Sequence, residues 1–209
     1  MAPERPSTPV DWRPYALTAV ALGLAITLNA WTQNGLWMFY SLTGAGVFLV
    51  LVALVRNQQL QLPSKAVWMV GVGAGLHYIG GSMAGLHQIG GPNGLYYALP
   101  WWDNVVHFLG SWAVGVAAVA LLAGRVTGPW WLAPFLATCV AATVGAVVEL
   151  YEFVQFVTLG TVDQGFYTNT LLDLYYNLLG GAAGAFLYAR ASVTRLPEGA
   201  PVQPSALRK

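Results

Sequence analysis

The stretch Trp-Trp-Asp-Asn-Val-Val-His-Phe-Leu-Gly, from Trp101 to Gly110, places an acid and an imidazole inside a long apolar run. Asp103 and His107 are four residues apart. On a helix this spacing puts both side chains on one face, one turn apart. Ionisable groups in an apolar segment of membrane length are costly unless they are paired or bind a ligand. The stretch therefore predicts a membrane helix whose polar face meets partners from other helices.

The composition of the whole chain is that of an integral membrane protein. Of 209 residues, 56% are hydrophobic and only 8% are charged, whereas an average soluble domain has about 25% charged residues. The net charge of +1 gives no reason to expect a nucleic acid partner. The single cysteine excludes an intrachain disulfide and a cysteine metal cluster.

Six apolar segments approach the roughly 20 residues that a helix needs to cross a bilayer. They are residues 15–31, 37–55, 66 to about 87, 103–123, 131–157 and 171–189. We therefore predict an all-α membrane protein with one domain of six transmembrane helices, residues 15–189. Residues 1–14 and 190–209 are predicted to be a disordered leader and a disordered tail. The first segment could also be a signal peptide, but no small-residue cleavage site follows it.

The basic residues indicate the orientation of these helices. All nine Lys and Arg residues lie in the N-terminal segment, the second loop, the fourth loop or the C-terminal segment. Cytoplasmic loops carry such an excess of basic residues. Six spans with both termini in the cytoplasm account for this pattern, and we expect a multi-pass protein of the bacterial inner (plasma) membrane.

Five acids outside the terminal segments fall in the half of the molecule that this topology turns outward. They are Asp103, Glu149, Glu152, Asp163 and Asp173. No Lys or Arg lies between Arg125 and Arg190, so local ion pairs cannot neutralise these acids. Three explanations are open: the acids are protonated through burial, line a wet cavity or bind a cation.

Three predicted helices contribute two polar groups each at similar depth. The pairs are Asp103 with His107, Glu149 with Glu152, and Asp173 with Asn177. Carboxylates and histidines from neighbouring helices bind metals in helix bundles, and oxygen-rich ligation with one imidazole suits Zn, Mn, Fe or Mg. We predict that the five ionisable residues of these pairs bind a divalent metal. The alternative is a hydrogen-bonded network that fixes helix packing.

Three further polar residues are secondary candidates. Asn177 is expected to form a hydrogen bond between helices, and Asp163 to stabilise a loop turn or cap a helix. His87 lies near the outer end of the third segment, close to the depth of the acids. His77, in the middle of that segment, is expected to be a packing residue.

These motifs resemble those of two related groups of bacterial membrane proteins. Asp-x-x-x-His-Phe at 103–108, Glu-x-x-Glu at 149–152 and Asp-x-x-x-Asn-x-x-Gly at 173–180 are similar to the VanZ-like family and to the YjdF-type family of inner-membrane proteins. The Glu-x-x-Glu form is closer to the YjdF-type group, and the fifth loop lacks the basic residue usual in VanZ-like proteins. The resemblance covers roughly the C-terminal half. Since VanZ-like proteins are associated with low-level glycopeptide resistance, it implies a role in the cell envelope.

The outward acidic cluster indicates a protein that handles a membrane lipid or a lipid-linked small molecule. In a metal-dependent hydrolase, Glu149 or Glu152 would be the general base and His107 a metal ligand or an acid. The alternatives are a proton-coupled transporter and a non-catalytic envelope accessory with a structural polar cluster. A transporter is disfavoured because the inner halves of the last three helices are nearly free of ionisable groups. Oligomeric state is not indicated by any motif.

Overall fold

The computed structural model describes residues 10–57, 60, 62–85, 94–123, 125–160 and 167–193 as helices joined by turns. The long helices are α1 (Arg13–Thr32), α2 (Gly35–Arg56), α3 (Ser64–Ser82), α5 (Trp102–Leu122), α6 (Leu132–Leu159) and α7 (Tyr167–Val193). A 3₁₀ turn (Met83–Gly85) and a short helix α4 (Leu95–Ala98) lie between α3 and α5. The predicted all-α class is thus confirmed for the described residues.

Each long helix coincides with one of the six predicted segments, with differences at the ends. The helix α3 stops at Ser82, before the predicted end near residue 87, and α7 runs from Tyr167 to Val193 instead of 171–189. Within the described residues, α1, α2, α5 and α6 are long and apolar enough to cross a membrane. The count of six spans and the orientation of the termini stay predictions.

The first two helices begin and end at residues suited to those positions. Pro14 lies in the first turn of α1, where its missing N–H costs nothing. Gln33 adopts a left-handed conformation (φ 55°) that ends α1, and the Asn34 side chain caps α2 by accepting from the Trp37 N–H at 3.2 Å. Before α1, a hydrogen bond from the Arg13 guanidinium lowers the pKa of Asp11 to about 2.

The bundle consists of two groups of three helices. In the first, α1 packs against α2 and α3; in the second, α5 packs closely against α7 and α6, and contact between α3 and α5 joins the groups. Small residues such as Ala113, Ala141 and Ala185 are buried where helices meet. Large apolar side chains such as Val47 and Leu187 remain 68% and 58% exposed. Contact with lipid accounts for these outward apolar faces.

Asn29 joins the first three helices through one buried amide. Its Nδ2 donates to Ser41 Oγ on α2 at 3.1 Å and to Ser82 Oγ on α3 at 2.8 Å. We expect Asn29→Ala to lower the free energy of unfolding by about 0.5–2 kcal/mol, since hydrogen bonds between membrane helices contribute about 0.6 and at most about 1.7 kcal/mol each. Equilibrium denaturation in mixed micelles measures this change.

Thr27→Ala on the same helix is the matched control for Asn29→Ala. The Thr27 hydroxyl is exposed and donates to the Gly23 carbonyl of its own helix, so its loss leaves all contacts between helices in place. Equal destabilisation by the two substitutions would show that the Asn29 amide does not stabilise the packing.

Candidate functional site

The candidate site lies between α5, α6 and α7 and is built from two ladders of polar residues. Each ladder has four-residue spacing, which keeps its side chains on one helix face. On α5 the ladder is Asp103, His107 and Ser111, and on α7 it is Asn169, Asp173 and Asn177. Close packing of α5 against α7 brings the two ladders together.

His107 is the centre of the cluster. Its Nε2 lies 3.3 Å from Asp103 Oδ1, 3.7 Å from Glu149 Oε1 and 3.8 Å from Asp173 Oδ1. Glu149 and Asp173 are 4% and 0% exposed, so these carboxyl groups are shielded from the surroundings. One imidazole nitrogen therefore faces carboxylate oxygens from all three helices.

The other nitrogen of His107 fixes the orientation of the ring. Nδ1 lies 3.2 Å from Asn177 Oδ1, which also accepts from Ser111 Oγ at 2.7 Å. Because an amide oxygen only accepts, Nδ1 carries the hydrogen in this arrangement. In the neutral ring the Nε2 lone pair then points toward the carboxylates, as it does in histidines that bind metals.

Asn169 is a site residue that the sequence analysis missed. Its Nδ2 donates to Asp103 Oδ2 at 3.1 Å and to Asp173 Oδ2 at 2.7 Å. The amide thereby holds one oxygen of each carboxylate, while the Oδ1 atoms are the ones nearest His107 Nε2. The available signal was the spacing to Asp173, but the predicted start of the helix at residue 171 left Asn169 in a loop.

The two glutamates of α6 have different surroundings. Glu149 lies beside His107 within the cluster. Glu152 instead lines a cavity next to it, together with Asp103 and His107. The ligand atoms of Asp103, His107 and Asp173 all lie within 4.8 Å of one another, and neither glutamate belongs to that group of three.

The geometry of Asp103, His107 and Asp173 fits part of a metal site. Four ligands at about 2.1 Å from a tetrahedral ion lie roughly 3.4 Å from one another. Asp103 Oδ1 and Asp173 Oδ1 are 3.3 and 3.8 Å from His107 Nε2, which is close to that separation, whereas Glu149 lies outside the group whose ligand atoms are all within 4.8 Å of one another. In addition, Asp173 Oδ1 is buried and accepts no hydrogen bond from the described residues. One imidazole and two carboxylates of this group are ligand types that suit Zn, Mn, Fe or Mg.

A cavity of about 390 Å³ adjoins the cluster. Its polar wall comes from α5, α6 and α7 and consists of Asp103, His107, Ser111, Glu152 and Asn177. Its aromatic wall comes from α2, α3 and α4 and consists of Trp37, Tyr40, His77, Tyr78 and Tyr96. This volume lies within the range of small-molecule pockets, about 300–1,000 Å³.

The remaining predicted site residues occupy different places. Asn177 joins α5 to α7 through its amide oxygen. His77 lines the cavity and shares a hydrogen bond of 2.6 Å with the Tyr96 hydroxyl. His87 and Asp163 lie outside the described residues.

Comparison with known proteins assigns the chain to a family of membrane proteins. A family model described as "Predicted membrane protein (DUF2238)" matches residues 14–193, most of the chain and nearly all of α1 to α7. No curated protein and no solved structure matches the chain.

Proposed function

We propose that this chain, which belongs to the DUF2238 family of predicted membrane proteins, binds a divalent metal at the His107 cluster and uses it to hydrolyse a lipid or lipid-linked small molecule. Family membership confirms the membrane class that the composition predicted. The convergence of three carboxylates on His107 Nε2 is the observation that carries the proposal.

Charge supports a cation at this position. The described basic residues lie at the ends of helices or in the adjoining turns, at Arg13, Arg56, Lys65, Arg125 and Arg190. Within the described residues, His107 is thus the cationic side chain available to three clustered carboxylates. A divalent cation would compensate them more fully than one imidazolium does.

The cavity supplies space for a substrate beside the metal site. A bound metal would polarise a substrate oxygen and lower the pKa of bound water. Glu152 lines the same cavity as Asp103 and His107 of the cluster, which suits a general base. It would accept a proton from the attacking water, the water oxygen would bond to the substrate phosphorus or carbonyl carbon, and the leaving group would depart with the bonding electrons and take up a proton.

We place the cluster in the outer half of a six-span protein of the bacterial inner membrane. The positive-inside pattern supports both termini in the cytoplasm. The motif resemblance to VanZ-like and YjdF-type proteins supports a cell-envelope role, and the outer leaflet would then supply the lipid or lipid-linked substrate.

Metal content and turnover test the proposal together. Purified protein is stripped with a chelator, reloaded with Zn, Mn, Fe(II) or Mg, and analysed by mass spectrometry for bound metal. We expect about one ion per chain in the wild type and almost none in Asp103→Asn combined with Asp173→Asn. In vesicles of bacterial lipid extract, Glu152→Gln should keep its metal but hydrolyse lipid about 10²–10⁴-fold more slowly, the usual contribution of a general base.

Asp11→Asn is the matched control, since it removes an acid that precedes α1 and pairs with Arg13, the first residue of that helix. It should bind metal as the wild type does. The metal proposal is wrong if the wild type takes up no stoichiometric ion or if the double variant retains it. The proposal of hydrolysis is wrong if metal-loaded protein releases no product from the lipid extract.

A further inference from the structure

We propose that the cavity binds an organic ammonium group, carried by a lipid headgroup or a free amine, against its aromatic wall and Glu152. This inference rests on the proposed function in that it names the substrate class for the same site. Its direct support is the combination of aromatic rings and carboxylates in the lining of one cavity.

The aromatic wall is a packed cluster of rings from separate elements. The Trp37 ring centroid lies 5.3 Å from Tyr40, 5.4 Å from His77 and 5.4 Å from Tyr96. Tyr40 also donates a hydrogen bond to Gln155 on α6, which ties this wall to the opposite helix. Rings held in this way offer π surfaces to a ligand at little entropic cost, and such surfaces attract organic cations.

The charge of the cavity favours the same ligand. Asp103 and Glu152 line it, and none of its described lining residues is Lys or Arg. Asp103 is already held by Asn169 and His107, both of which belong to the cluster. Glu152 is therefore the carboxylate that faces the cavity without belonging to the group of metal ligands. A ligand ammonium would compensate its charge in a cavity whose described lining contributes no Lys or Arg.

Binding of small amines to metal-free protein tests the inference separately from the metal proposal. The protein is held in a neutral detergent with chelator, and choline is titrated by calorimetry and by tryptophan fluorescence. The neutral isostere 3,3-dimethyl-1-butanol replaces the ammonium by a carbon of the same shape. We expect choline to bind at least about tenfold more tightly than this alcohol, since desolvated cation–π contacts and the carboxylate favour only the cation.

Variants locate the binding surface. Glu152→Gln and Tyr78→Leu should each weaken choline binding about tenfold, because each removes one attraction for the cation. Tyr175→Leu is the matched control, since Tyr175 is 55% exposed and does not line the cavity. Equal binding of choline and its neutral isostere would overturn the inference, as would equal loss of affinity in Tyr78→Leu and Tyr175→Leu.

Nanodiscs distinguish the two sources of the ammonium group. If the ligand is a lipid headgroup, phosphatidylethanolamine discs should compete with choline and phosphatidylglycerol discs should not. If free amines displace choline and phosphatidylethanolamine discs do not, the ligand is a soluble amine. Failure of amine binding with metal uptake intact overturns this inference alone, whereas loss of stoichiometric metal with amine binding intact overturns the proposed function alone.

Discussion

His107→Gln is expected to weaken metal binding at least about 100-fold, which corresponds to about 2.8 kcal/mol. Glutamine is neutral and of similar length, but it lacks the imidazole lone pair that faces Asp103, Glu149 and Asp173. Without that ligand, only carboxylates would hold the ion. Titration calorimetry of chelator-stripped protein measures the affinity, and thermal denaturation with and without metal measures the linked stabilisation.

His77→Gln is the matched control for this prediction, because it makes the same change in a histidine that lines the same cavity. The His77 ring shares its hydrogen bond with Tyr96 on α4 instead of facing the three carboxylates. Metal affinity in His77→Gln should stay within about twofold of the wild type, a change of about 0.4 kcal/mol. A similar loss in both variants, or no loss in His107→Gln, would contradict the assignment of His107 as the central ligand.

A metal-dependent shift in thermal stability separates a metal site from a structural network. If the cluster only fixes helix packing, His107→Gln should lower stability equally with and without metal. If the cluster binds metal, the wild type should gain stability from added metal, and this gain should disappear in His107→Gln.

The helices were predictable because membrane length and apolar composition constrain them strongly. Trp101 to Gly110 was predicted to begin a helix with Asp103 and His107 on one face, and α5 begins at Trp102 with these side chains 3.3 Å apart. Residues four apart lie on the same face of a helix wherever the other helices pack, so this part of the site could be predicted from the sequence.

The remainder of the site depends on tertiary packing. Asn169 was missed because polar residues before 171 resemble a loop, although the helix extends to Tyr167. Glu149 lies beside His107 whereas Glu152 lines the cavity, and this difference depends on how α6 is rotated about its own axis. The periodicity of the sequence does not determine that rotation. The aromatic wall comes from α2, α3 and α4, where no motif indicated a site.

The last prediction concerns Gly180, which sets the separation of α5 and α7 at the site. A Cβ at Gly180 would overlap the carbonyl oxygen of Phe108, the residue after His107. The obstacle is backbone, so rotation of a side chain cannot relieve it. We expect Gly180→Ala to lower the free energy of unfolding by about 1–3 kcal/mol, as other overpacking substitutions do.

Gly110→Ala is the control for this effect, because it adds the same methyl group to the opposing helix where nothing lies within 4 Å. It should be neutral or stabilising by up to about 1 kcal/mol, since alanine favours helix more than glycine does. Gly180→Ala should also weaken metal binding, because separating α7 from α5 at Phe108 moves Asp173 away from His107. Destabilisation of both variants to the same extent would show that the α5–α7 contact is not the constraint. A destabilised Gly180→Ala with wild-type metal affinity would show that the cluster does not depend on this separation.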